Sequence, residues 1–194
     1  VSGFHALTGY ADAPPMGCFG PYTDFLSVRF NALSILAALR HRQATGEGQY
    51  IDMSQSEAAL RFLAPECQAV FDDAVDPELT GNADPTMSPH GVYPAAGDDQ
   101  WLALAVASDA QWQALCVLLE KPQWTTWDRL KRQAQSQTID DCVSAWTSRR
   151  PAKEAQTLLQ KAAIPAHEVL TTDALYDDPQ LGYRQHFLGV RHAL

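Results

Sequence analysis

The stretch Gly20–Ser54, GPYTDFLSVRFNALSILAALRHRQATGEGQYIDMS, decides how this chain is organised. Gly20-Pro21 marks a turn, Thr23 or Asp24 can accept from the first free N–H groups of a helix, and Thr45-Gly46 is the next stop signal. Between these marks Phe25, Val28, Ala32, Leu33, Ile35, Leu36 and Leu39 cover more than one helical face, which predicts a helix from Asp24 to about Arg42, buried on most sides. Arg40, His41 and Arg42 close it, where the negative end of the helix dipole favours cations. Asp24 therefore stands at the helix N-terminus, where the peptide dipoles stabilise a carboxylate by roughly 0.3–1 kcal/mol when exposed. A carboxylate there is a cap, a catalytic group, or both.

Downstream of the Gly46–Gly48 turn, Gln49 to Met53 alternates polar and apolar and predicts a short strand. Ser54-Gln55-Ser56-Glu57 has the S-x-x-E form of a capping box before a helix through Leu60, Phe62 and Leu63 toward Val70, which Pro65 kinks or divides. Residues 72–89, DDAVDPELTGNADPTMSP, are polar and turn-rich and predict a linker. Beyond it, Val92–Pro94 and Trp101–Val106 read as a hairpin around Gly97-Asp98-Asp99. Ser108 then caps a helix carrying Trp112, Leu115, Cys116 and Leu119, and helical spacing recurs over 124–130, 139–146 and 152–162. A return strand with Val169 and Leu170 is expected after Ile164-Pro165-Ala166 from the resemblance given below, and Thr172 is expected to cap a short helix ending near Asp177-Asp178-Pro179. Five tryptophans between residues 101 and 146 read as core packing, because no basic residues interleave them at a spacing suited to stacking nucleic acid bases.

Composition narrows the function class. With 194 residues and 46% hydrophobic content the chain can bury a real core. A formal charge of −9 argues against nucleic acid or an anionic membrane as partner. Cys18, Cys67, Cys116 and Cys142 form no C-x-x-C pair, so they read as reduced, mostly buried thiols. His5, His41, His90, His167, His186 and His192 are scattered, which predicts no metal site. No dinucleotide, P-loop or G-x-S-x-G motif occurs. No apolar run reaches the roughly 18–20 residues that span a bilayer and no signal peptide opens the chain, so the expected location is the cytoplasm.

The ordered succession SGFHALTG at 2–9, Pro14-Pro15, TDFLSVRFNALSILAALRHRQATGEGQYIDMSQSEAAL at 23–60, GNADPTMSPHGVYPA at 81–95 and DPQLGYRQHF at 178–187 resembles the family III CoA-transferases, the CaiB/BaiF type. That family includes formyl-CoA transferase, carnitine CoA-transferase and the α-methylacyl-CoA racemases. The resemblance implies an α/β fold, α+β in the small domain: a fragment of the family fold missing most of the N-terminal doubly wound domain. It implies part of the large domain over 1–72, a linker over 73–89, a small α+β domain over 90–165 and a return segment over 166–194.

In the transferases the aspartate before the long helix is the nucleophile, and the matching position is Asp24. The expected activity is transfer of CoA between carboxylic acids through an aspartyl-CoA thioester, impaired in a chain so placed within the family. The alternatives are a racemase-type isomerase using the same aspartate as a base, or a non-catalytic interaction or dimerisation module. CoA and acyl-CoA enter as substrates and no bound cofactor is expected. Family members form interlocked dimers, so self-association is expected too. Gly81-Asn82 and Ser88–Gly91 occupy the place of a loop that is a glycine run in formyl-CoA transferase; Thr86–His90 departs from that run and is closer to the carnitine type. Asn82, His90 and Gly91 are the candidate substrate contacts, although a turn histidine is the commoner role for a residue like His90. Arg29, on the Asp24 helix, reads as an ion-pair or interface residue.

Overall fold

In a computed structural model the apolar run that follows Gly20-Pro21 forms one uninterrupted helix. The structure describes residues 3–18, 20–73 and 78–191; part of the expected linker, at 74–77, and the terminal residues, His192 included, lie outside them. The chain divides into two compact units, 1–81 and 82–194.

In the first unit a short helix α1 (Phe4–Leu7) is followed by α2 (Tyr22–Thr45). Helix α2 ends where Gly46 takes a left-handed conformation, φ 79°, and returns its N–H to the carbonyl of Arg42. Only glycine adopts that backbone freely, so Thr45-Gly46 stops the helix as its sequence predicts. The expected burial on most sides is not what forms. Only Leu26 and Ser27 of α2 are buried, whereas Phe25 is 58% and Leu36 64% exposed, and Val28, Leu33, Ile35 and Leu39 are exposed as well. An apolar belt predicts burial only if other segments are at hand to cover it, and within this unit the main neighbour of α2 is the short helix that follows.

Helix α3 (Gln55–Leu60) begins as the capping box requires, with the Ser54 hydroxyl accepting from the N–H of Glu57 at 3.3 Å. A 3₁₀ turn over Arg61–Leu63 leads into α4 (Ala64–Asp73). Pro65 falls in the first turn of α4, where its missing N–H costs nothing, and this divides the predicted run. The strand expected at Gln49–Met53 does not form. An extended segment becomes a strand only by pairing, and no ladder partner stands beside it among the described residues. Ala58, Ala59 and Leu63 are buried, and with Leu26 and Ser27 they are the buried positions among the described residues of this unit.

The second unit holds a three-stranded antiparallel sheet in the order β1-β2-β3: β1 (His90–Pro94), β2 (Trp101–Ala105) and, later in the chain, β3 (Ala166–Glu168). Tyr93 pairs with Leu102, and Leu102 with Glu168. The hairpin turn relies on left-handed backbone at Gly97 and Asp99, and the Asp99 carboxylate accepts from the Trp101 indole N–H at 2.7 Å. The return strand expected at Val169-Leu170 lies instead at Ala166–Glu168, because the register on β2 is taken up by Ala166, His167 and Glu168.

Helix α5 (Asp109–Leu118) starts at Ser108, whose hydroxyl accepts from Gln111 N–H. The helix expected over 124–130 is replaced by a 3₁₀ turn, Pro122–Trp124, and α6 (Arg129–Ala134), because Asp128 caps later, accepting from Lys131 N–H at 2.7 Å. Then come α7 (Ser136–Thr147), which packs on β1, and α8 (Ala152–Lys161), which packs on β2 and β3. Thr172 caps nothing; a 3₁₀ turn at Ala174–Asp177 precedes α9 (Pro179–Tyr183), which Asp178 caps through Leu181 N–H.

The core of this unit gathers Leu102, Leu104 and Val106 from β2 and its end, Trp112, Leu115 and Cys116 from α5, Ile139 and Val143 from α7, and Leu159 and Ile164 beyond. Trp112, Trp124 and Trp127 stack with centroids 5.0–6.3 Å apart, as core aromatics do. Beside them the buried Arg132 donates to Asp109 Oδ1 at 2.8 Å and to the Trp127 carbonyl at 3.3 Å. Of the cysteines, Cys116 alone is buried; Cys18, Cys67 and Cys142 are partly exposed free thiols, so the expectation of mostly buried thiols is corrected.

Candidate active site

Asp24 lies in the first turn of α2, in the acidic position its sequence predicts. It is not the cap. Pro21 takes the N-cap position and no side chain caps the helix there, so the carboxylate is exposed and available for another role. Its partner comes from the following helix: the Gln55 side-chain N–H donates to Asp24 Oδ1 and, at 3.1 Å, to the Thr23 hydroxyl. Gln55 is the first residue of α3, directly after the Ser54 cap. Nothing in the local sequence of Asp24 announces this pairing, which joins positions 31 residues apart.

Beside this pair opens a cleft of about 540 Å³, lined by His5, Cys18, Pro21, Thr23, Gln55 and Ser56 among others. Asp24 is outside the lining, while its neighbour Thr23 and its partner Gln55 are on the wall. Gly20, on the cleft wall, has φ 61°, and a side chain at nearby Gly17 would meet the ring of His5, also on the wall, at 3.1 Å. Arg29 donates to the Phe25 carbonyl of its own helix at 2.9 Å.

The other three candidates belong to the second unit. Asn82, His90 and Gly91 share one cleft of about 480 Å³ with Val92, Ala103 and Ala105 of the sheet and with His167 on β3. His90 opens β1, and its Nδ1 lies 2.5 Å from the carbonyl oxygen of Asn82. A carbonyl only accepts, so this contact places the proton on Nδ1 and turns Nε2 into the free ring nitrogen. His167 is oriented likewise, its Nδ1 2.8 Å from the Glu168 carbonyl. Sequence reading missed His167, whose only signal is its place on β3, on the same face of the sheet as Ala103 with which it is paired. Gly91 has a packing reason: a Cβ there would stand 3.1 Å from the Tyr93 hydroxyl. That hydroxyl donates to Asp140 Oδ1 at 2.7 Å; burial, and then this bond, push the Tyr93 phenol well above its usual range, and burial raises Asp140 above the ordinary carboxylate value.

The loop leading to His90 is tied down. Asp84 Oδ1 accepts from Thr86 N–H and Oγ1, both at 2.7 Å, and from Met87 N–H at 2.9 Å, and these bonds, that of the Thr86 hydroxyl first, hold its carboxyl below the usual value. Arg129 and Gln133 of α6 both donate to the Pro85 carbonyl, at 2.8 and 2.6 Å. Among the described residues no group of three or more His, Cys, Asp and Glu could hold a metal ion, and no helix is long and apolar enough to cross a membrane.

The family profile described as CoA-transferase family III matches residues 1–194. The succinyl-CoA–D-citramalate CoA-transferase of Chloroflexus aurantiacus is 30% identical over 98% of this chain and 48% of its own length. The succinyl-CoA:mesaconate CoA-transferase of Haloarcula marismortui is 30% identical over 95% of this chain and 46% of its own. Among solved structures, a CaiB/BaiF family protein from Brucella suis superposes with a TM-score of 0.82 at 24% identity, over 94% of this chain and 49% of that one. The mixture of helices with a small antiparallel sheet is thus the fold of part of such a protein, and the chain spans about half the length of the relatives it matches.

Proposed function

The chain belongs to CoA-transferase family III, and on that premise we propose that it carries the nucleophile of an enzyme moving CoA between carboxylic acids, with Asp24 as that nucleophile. The observation that carries the reading is an exposed carboxylate in the first turn of a 24-residue helix, released from capping and held by a donor from the next helix. Such a group has the low freedom and the oriented dipoles that attack on a thioester needs.

In this reading Asp24 attacks the carbonyl carbon of the acyl-CoA, the C–S bond breaks, and CoA thiolate leaves a mixed anhydride. The thiolate then attacks Cγ of Asp24, the donor acid departs as its carboxylate, and an aspartyl-CoA thioester remains. The acceptor carboxylate attacks Cγ in turn, again releasing thiolate. Attack of that thiolate on the acceptor acyl carbon gives the new acyl-CoA and restores Asp24. No proton is gained or lost over the cycle, and each step builds negative charge on a carbonyl oxygen that nearby N–H donors can stabilise. CoA is a substrate throughout. That both relatives above are named for succinyl-CoA supports trying a dicarboxylic acyl donor first. Asn82, His90 and Gly91 are proposed as substrate contacts, a role supported by their shared cleft.

The test is intact-mass and peptide mass spectrometry of the chain after incubation with succinyl-CoA. A CoA thioester on the Asp24 peptide, removed by hydroxylamine and absent from Asp24→Ala, is the expected result. An adduct that persists in Asp24→Ala, or none under any acyl-CoA, overturns the nucleophile.

A further inference from the structure

Resting on that reading of Asp24, we infer that Gln55 is its positioning residue: the Gln55 side-chain amide holds one carboxylate oxygen so that the other faces the incoming acyl group. The argument begins with what is buried in the first unit. Along the 24 residues of α2 only Leu26 and Ser27 are buried, and both lie within one turn of Asp24. Their buried counterparts in the same unit are Ala58 and Ala59 of α3 and Leu63 just beyond it. The small core of this unit therefore lies along the contact of α3 with the first turns of α2, beside the place where Asp24 and Gln55 meet, while the remainder of α2 is exposed or half-buried.

The start of α3 is itself defined. Ser54 caps it through Glu57 N–H, so Gln55 occupies the first helical position and its side chain emerges at a fixed point. From there the amide makes a forked contact with Asp24 Oδ1 and the Thr23 hydroxyl. A carboxylate with one oxygen so held has lost most of its rotational freedom, and its second oxygen is directed away from the donor. The same N–H donor remains beside Asp24 when it becomes an anhydride or a thioester, where it can bond to the Asp24 carbonyl oxygen as charge builds on it. Gln55 also lies on the wall of the cleft with Thr23, while Asp24 is just outside its lining.

The experiment uses the full chain as wild type, Gln55→Leu, Gln55→Glu and Asp24→Ala, with folding checked by circular dichroism. Two readouts separate this inference from the one it rests on. In ¹⁵N-edited NMR the Gln55 side-chain amide is expected to move when Asp24 is changed to Ala; an amide that stays in place removes the contact and overturns the inference whatever Asp24 does. In the succinyl-CoA reaction, the rate of adduct formation on Asp24 at saturating acyl-CoA is expected to fall about tenfold in Gln55→Leu. The acyl-CoA concentration giving half the maximal rate should stay unchanged. Gln55→Glu, which keeps the side-chain length but replaces the donor with a like charge, is expected to lose at least as much. Adduct at the wild-type rate in both folded variants overturns the positioning role and leaves the nucleophile intact. A wild-type chain that forms no adduct refutes the nucleophile, and with it the role assigned to Gln55, even where the NMR contact is present.

Discussion

Leu102 offers a direct test of the core of the second unit. It is wholly buried on the central strand, paired with Tyr93 on one side and Glu168 on the other, and faces the core formed with α5, α7 and α8. Leu102→Ala removes three buried carbons, worth about 2.4 kcal/mol at ~0.8 kcal/mol each. A central strand held by a neighbour on both sides cannot close inward over the gap, so a residual cavity adds to the loss and about 3–4 kcal/mol is expected. With a urea dependence near ~1.5 kcal/mol per molar, the midpoint should fall by about 2 M. All five tryptophans lie in this unit, so intrinsic fluorescence in a urea titration reports on it directly. The exposed and chemically identical change Leu130→Ala on α6 serves as the control, with an effect within about 0.5 kcal/mol. A loss below about 1 kcal/mol at Leu102, or equal losses at the two sites, would refute the placing of the core around the central strand.

The Tyr93–Asp140 pair makes stability depend on pH in a direction opposite to that of most carboxylates. Because burial raises Asp140 in the folded chain, the native state holds that proton more tightly than the unfolded chain does. The benefit is complete below the ordinary carboxylate value of about 3.9 and is lost as pH rises through the raised folded value. Asp140→Asn keeps an acceptor for the Tyr93 hydroxyl without the charge, so its stability relative to wild type should rise over that interval in urea titrations at successive pH values. A relative stability that falls with pH would contradict the burial of Asp140. Cys116 is wholly buried and its thiol is pushed up to about 11, mainly by burial, which leaves about one part in a thousand as thiolate at pH 8. Thiol titration of the native chain should modify the partly exposed Cys18 and Cys67 first and reach Cys116 only on unfolding; early labelling of Cys116, located by peptide mapping, would count against the packing of α5.

What the sequence determined by itself is what short-range chemistry controls. The ends of α2 follow from Gly20-Pro21 and from Gly46, the start of α3 from Ser54 and Glu57, the start of α5 from Ser108, and the hairpin from the turn at Gly97–Asp99. Each is decided within about four residues, the range over which a cap or a turn acts. Family membership was legible for a related reason, since ordered motifs spread over the chain survive where most positions differ. Other features depended on what comes from a distance. The apolar belt of α2 and the alternation at Gln49–Met53 record an intended burial and an intended pairing, yet neither can create the surface or the strand it requires. The strand at Ala166–Glu168 was settled by register on β2, a long-range pairing that sequence reading placed three residues too late. At the site, Asp24 was visible as a carboxylate at a helix start, whereas its freedom from capping and its tie to Gln55 appeared only once α2 and α3 were packed together. A side chain's partner is set by which helices touch, and that is decided by tertiary burial rather than by the residues on either side.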